Sequence, residues 1–140
     1  MEVSEVRRRL RAAIDQARRD AVLRRERADT ASREYDQFLA QVAIPTFQTI
    51  ANVLVAEGHR FAVFTPAGSV RLASERSGED FIELALDTSH DPPVVTVRTS
   101  RGRGRGQLTS ERSVATPVAS LTDSDVVQMV VDEIRPFVER

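Results

Sequence analysis

A narrow stripe of apolar residues runs through the first 42 residues of the chain and constrains the fold more than any other feature. It consists of two interleaved sets of positions, one stepping by seven from Val3 and the other stepping by seven from Ile14. Together they alternate at intervals of four and three residues, which is the spacing of a coiled-coil seam on one face of a helix. At about 1.5 Å of rise per residue, such a helix extends for roughly 60 Å. The sequence therefore predicts a long helix over 1–42 that is too long for a small domain to cover.

The middle of this seam is alanine, and larger side chains lie toward its ends. Arg24 interrupts it, and a charged residue at a core position usually fixes register or oligomeric state at some cost in stability. Part of the seam is therefore expected to pack on a helix of another chain, either a second copy or an unrelated partner; the alternative is an ordinary amphipathic helix lying on its own domain. The spacing suits parallel and antiparallel packing equally. The predicted interface residues are Leu10, Ile14, Ala17, Ala21, Ala28, Ala31, Tyr35 and Phe38.

The rest of the chain, 43–140, is predicted to form an α+β domain. Pro45 should end or kink the first helix because it lacks an N–H, and a second short helix over 45–57 should stop at Gly58. Beyond it the apolar period changes to two, and short loops favour an antiparallel meander of four or five strands. Thr122 is a candidate N-cap for a C-terminal helix over 123–139 that packs on the sheet. The predicted strands are about 60–65, 69–75, 80–87, 94–100 and 107–115.

Composition argues against an enzyme. The chain has no cysteine and only two histidines, so disulfides, cysteine-ligated metals and a thiol nucleophile are excluded. His90 lies in a short turn, where neighbouring residues do not converge as a catalytic triad must. The acids Glu79, Asp80 and Glu83 suit exposed positions as well as a cation site. We therefore expect no catalytic residue, no metal, no cofactor and no small-molecule substrate.

Two segments are strongly basic although the whole chain carries a net charge of −1. Residues 7–27 hold nine arginines against three acids, and 98–112 hold five against one. The second segment contains RGRGRG, which is either a passive hairpin tip or a phosphate-binding loop, in which case Arg101, Arg103 and Arg105 contact nucleic acid. Aromatic residues make up only 5% of the chain, which offers few stacking surfaces for single strands.

Targeting signals are not evident in the sequence. It contains no uninterrupted run of about 18 apolar residues and no signal-peptide core, which favours a cytoplasmic protein without a membrane partner. The leading hypothesis is a non-catalytic assembly or adaptor protein that associates through its first helix and presents an α+β binding domain. The alternative is a nucleic-acid-binding protein that uses the RGRGRG loop together with the arginines of the first helix.

Overall fold

A computed structural model describes residues 1–139 and confirms the predicted α+β class. The long N-terminal helix, the antiparallel sheet and the C-terminal helix are all present. The helices are α1 (Val3–Phe38), α2 (Ile44–Ala56) and α3 (Asp123–Val138), with a π-helical segment at Leu39–Ala43 and a 3₁₀ turn at Val118–Ser120. The strands are β1 (Phe61–Phe64), β2 (Ser69–Ser74), β3 (Phe81–Asp87), β4 (Val94–Arg103) and β5 (Gly106–Ser113).

The chain remains helical through Pro45, because the π-helical segment joins α1 directly to α2. The N–H of Ile44 donates to the carbonyl of Leu39 across a π-helical turn, and Pro45 follows in the first turn of α2. The first N–H groups of a helix have no acceptor within that helix, so the missing N–H of Pro45 costs no helical hydrogen bond at this position. One helical rod therefore runs from Val3 to Ala56. The predicted second helix, with Pro45 in its first turn, is confirmed, and it follows the first helix without an intervening loop.

The sheet is a five-stranded meander in which each strand pairs with its neighbours in the chain. All four pairings are antiparallel, and the fifth strand, left open at four or five from the sequence, is present. β4 and β5 extend to Arg103 and Gly106, so the RGRGRG tract forms the tip of their hairpin. Gly104 has a φ of 60° at the first of two turn positions, a conformation typical of hairpins with a glycine there.

One face of the sheet is covered by α2 and α3, and the core lies between these layers. The alternating residues of the central strands point into it, for example Val70, Leu84 and Val97. Phe47 of α2 belongs to the same buried cluster and has 1% of its surface exposed. At the start of α3, the hydroxyl of Thr122 accepts from the backbone N–H of Asp125, whose carboxylate accepts from the N–H of Thr122 in return. The predicted N-cap is therefore confirmed as a reciprocal capping box.

The rod is also apolar over part of its length. Residues 37–56 contain no charged side chain, and an 18-residue window of the helix has a mean hydropathy of 1.5, enough by length and composition alone to cross a bilayer. Of that window, 22% is buried inside the domain. Core packing accounts for part of the apolar character, because Ala43, Phe47 and Ala51 face the sheet.

Candidate functional site

The first two-thirds of α1 project from the domain, and we call residues 3–26 the arm. Every residue from 6 through 20 is exposed. Within the described chain, the hydrogen bonds and ion pairs of the arm stay inside it, as between Arg9 and Glu5 or Gln16 and Asp20. At about 1.5 Å per residue, the arm is a rod of roughly 36 Å with both of its faces in solvent.

The structure divides the eight predicted interface residues into two groups. Leu10 is 58% exposed and Ile14 50% exposed, and Ala17 is exposed beside them. Ala21 and Ala28 are partly covered. The remaining residues, Ala31, Tyr35 and Phe38, are buried in the core of their own chain.

These three positions are corrected from interface to core residues. The seam continues into the domain without a break, and there α1 contacts the 3₁₀ turn of its own chain, so these three positions are already covered. Tyr35 also donates its hydroxyl hydrogen to the carbonyl of Gly68 at 2.6 Å. Burial raises the pKa of Tyr35 well above its ordinary value, so the hydroxyl remains a donor at any physiological pH.

An ion pair fixes the place where the arm leaves the domain. Arg27 donates two hydrogen bonds to Asp91, from Nε to Oδ1 at 2.9 Å and from Nη2 to Oδ2 at 2.8 Å. Asp91 precedes β4, so the root of the arm lies beside the loop that joins β3 to β4. The paired guanidinium lowers the pKa of Asp91.

Replacing Arg27 with glutamine should therefore raise the pKa of Asp91 toward its ordinary range, because the carboxylate loses the cation that favours its charged form. The measurement is an NMR titration of the aspartate carboxyl carbons. Asp87 is an internal control, since its pKa is lowered chiefly by hydrogen bonds from Ser89 and should not change in this variant. An unchanged Asp91 titration would show that Arg27 does not hold the root of the arm.

The apolar face of the arm has a basic edge. At 100° per residue, Val3, Val6, Leu10 and Ile14 lie along one side. Arg7 occupies a seam position itself, seven residues before Ile14, and a row of arginines borders that side at positions 11, 18 and 25. Several of these residues line one shallow groove along the arm, namely Val3, Val6, Arg7, Leu10, Arg11, Ile14, Asp15 and Arg18. The arm thus combines an exposed apolar face with arginines in the seam and along one edge.

The arginines of the hairpin tip lie far from the arm. Arg27 contacts Asp91 just before β4 begins, whereas Arg103 ends that ten-residue strand. At about 3.3 Å per residue, the tip and the root of the arm are roughly 30 Å apart. Within the described chain, the side chains of Arg101, Arg103 and Arg105 make no hydrogen bond or ion pair, and Arg101 is half-buried. The structure does not bring the two basic segments together into one patch.

A charged cluster on the open face of the sheet was missed by the sequence analysis. Glu83 is only 3% exposed, and its carboxylate accepts from Arg71 Nε at 2.8 Å and from Arg98. Arg71 also stacks over Phe81, 3.9 Å from the ring centroid. The three charged residues face one another across β2, β3 and β4. The cluster could have been predicted from opposite charges at paired positions of neighbouring strands, but these pairs can be identified only when the strand register is known.

The cluster also changes the interpretation of the acidic residues. With both carboxylate oxygens of Glu83 bound by guanidinium groups, this side chain is engaged in ion pairing and not in a cation site. Asp80 accepts a hydrogen bond from the N–H of Gly102 at 2.7 Å. In residues 1–139, no group of three or more histidine, cysteine, aspartate or glutamate side chains is arranged to hold a metal ion. His90 lies 3.3 Å from Asp87 in an exposed turn.

Comparison with protein-family models, with curated proteins and with solved structures gave no match for this chain. The function proposed below therefore rests on the geometry of the arm and of the domain that carries it.

Proposed function

We propose that this protein is a non-catalytic assembly protein that associates with a second copy of itself through the arm. The paired arms hold the α+β domains at a fixed distance, so that each domain remains free to present its own surface to a partner. One observation carries the proposal: the apolar face of the arm is exposed from Val3 through Ala17, although the same seam, farther along the helix, forms part of the core.

The energetics favour covering this face. Fully burying one valine, leucine or isoleucine side chain contributes about 1.5–3 kcal/mol. Each arm exposes four such side chains on one side, at Val3, Val6, Leu10 and Ile14. An isolated surface helix usually turns its apolar stripe toward a protein core, and this arm has no core of its own chain beneath it. A second arm supplies the missing surface.

We favour assembly over nucleic-acid binding because the basic residues are dispersed. The hairpin tip and the arm lie at opposite ends of β4. Counterion release scales with the number of phosphates neutralised together, and because the tip and the arm are separate, their arginines do not act on one stretch of nucleic-acid backbone.

Light scattering over a dilution series tests the proposal. The wild-type protein should have the mass of two chains or more at tens of micromolar. The double variant Leu10→Asp, Ile14→Asp should be monomeric at the same concentration, with an apparent dissociation constant raised at least tenfold, because burying four carboxylates between two arms is strongly unfavourable.

A matched control uses the other side of the arm. Leu23 is 50% exposed and Val22 is similarly exposed, but both lie off the seam. Val22→Asp, Leu23→Asp therefore adds the same charge to the same helix and should leave the mass unchanged. Both double variants should retain the wild-type unfolding midpoint of the domain when compared as monomers. A wild-type protein that is strictly monomeric at tens of micromolar would refute the proposal.

A further inference from the structure

We infer that the two arms pack antiparallel, with Leu10 of one copy facing Ile14 of the other. This inference rests on the proposed function, since it specifies how the second copy meets the arm. The sequence alone leaves the direction open. Two features of the folded chain decide it, the position of the domain relative to the seam and the placement of the arginines within the seam.

The domain lies on the seam side of the rod. Ala31, Tyr35 and Phe38 continue the seam of the arm and are buried by their own chain, where α1 contacts the 3₁₀ turn and Tyr35 bonds to Gly68 just before β2. A heptad seam drifts by about 20° per heptad on a straight helix, which accumulates to roughly 65° between Leu10 and Ile14 and the buried end of the seam, so the domain lies on the same half of the rod as the arm's apolar face. The domain therefore occupies, directly beyond the arm, the space that a parallel partner helix would need.

Parallel packing is disfavoured for this reason. Two parallel arms in register would bring both domains to the same level, each on the side of its rod that faces the other copy. The two domains would overlap sterically unless the rods moved apart. In an antiparallel pair the domains lie at opposite ends, and each arm passes the partner's arm with nothing in its way.

The charged residues of the seam also favour antiparallel packing. In a parallel pair each seam position faces its own copy, so Arg7 would meet Arg7 and Arg24 would meet Arg24. In the antiparallel pair with Leu10 opposite Ile14, Arg7 lies opposite Ala17 and Val3 lies opposite Ala21. Alanine leaves room for the arginine stem to run out to solvent. Arg24 falls beyond the first residue of the partner and leaves the interface.

Neighbouring antiparallel registers fit less well. A shift that lengthens the overlap by one heptad places Arg7 against Arg24 and brings Val3 of the partner onto Ala28, beside the ion pair where the domain begins. A shift that shortens it by one heptad sets Arg7 against Leu10 and leaves Ala17 and Ala21 uncovered. The register with Leu10 opposite Ile14 is the one that uses residues 3–21 and keeps both arginines apart.

Cysteine cross-linking tests the direction directly, because the chain has no cysteine of its own. The variants Val3→Cys and Ala21→Cys are made singly in full-length chains with tags of different size, and the chains are produced together and oxidised mildly. A disulfide requires Cα atoms within about 7 Å. In the inferred pair, Val3 of one copy lies opposite Ala21 of the other, whereas two Val3 residues are about 27 Å apart along the rods.

The mixed disulfide should exceed either same-variant disulfide at least tenfold. Efficient self-cross-linking of Val3→Cys, or of Ala21→Cys, would overturn the inference in favour of parallel arms. A dimeric mass for both variants with no cross-link in the mixture would overturn the register. In either case the proposed function stands, because the mass shows the association; a monomeric wild-type protein would remove both.

Discussion

Replacing Phe47 with alanine should lower the free energy of unfolding by about 3–5 kcal/mol, the cost of removing a fully buried aromatic side chain. Phe47 projects from α2, which contacts β1 and β2, into the buried cluster between the helices and the sheet. The backbone of α2 is fixed by its continuity with α1 and cannot move in to fill the cavity. Total stabilities of domains are about 5–15 kcal/mol, so this one change removes a large part of it.

Urea or guanidinium denaturation of the monomeric Leu10→Asp, Ile14→Asp background measures this loss free of association. The transition midpoint should fall while the slope stays constant, since the surface exposed on unfolding hardly changes. Phe64→Ala is the matched control. It removes the same side chain from the open face of the sheet, where Phe64 is 53% exposed, and should cost less than about 1 kcal/mol. Equal losses for the two variants would contradict the assignment of the core to the helical face.

Glu83→Gln should cost about 2–3 kcal/mol, because removing one member of a buried ion-pair network leaves the other charges without a partner. The amide accepts from one guanidinium but presents N–H groups to the other, so Arg71 and Arg98 lose a shared counter-charge. We expect a smaller loss of stability than for a fully buried ion pair, because the side chains of Arg71 and Arg98 remain 28% and 49% exposed.

The control for this change is Glu111→Gln on β5, which lies opposite Arg98 on the same face of the sheet. Glu111 is exposed, and its replacement should alter stability by no more than about 0.5 kcal/mol. Thermal unfolding of the two variants side by side is sufficient. If both losses were the same, the cluster on the open face would be an ordinary solvated row of charges rather than a link that ties β2, β3 and β4 together.

If the arms pair as proposed, the stability of the domain and the association of the chain are separable properties. Phe47 and Glu83 stabilise the domain, on elements that follow the arm in the chain. Leu10 and Ile14 lie in the arm, which makes no side-chain hydrogen bond or ion pair with the domain in the described chain. Variants of the first kind should change the unfolding midpoint, and variants of the second kind should change only the mass in solution.

The sequence by itself determined the secondary structure and the class of fold. The strands and α3 appear within one to three residues of their predicted bounds, because the apolar period of each segment and its turn residues depend on local geometry alone. The seam of the first helix could also be predicted from the sequence, since Val3, Leu10 and Ile14 recur at coiled-coil spacing whatever they pack against. The cap at Thr122 is equally local, as its partner Asp125 is three residues away.

Only the tertiary structure decided which part of that seam is free. Ala31 and Tyr35 follow the same spacing as Leu10 and Ile14, and nothing in the pattern tells a residue that meets its own sheet from one that meets solvent. The continuity of the rod through Pro45 likewise depends on how a π-helical turn accommodates a proline. The pairing of Glu83 with Arg71 and Arg98 depends on register. In each case the deciding contact joins residues distant in the chain or sets the geometry of a whole element, and a local pattern carries no information about it.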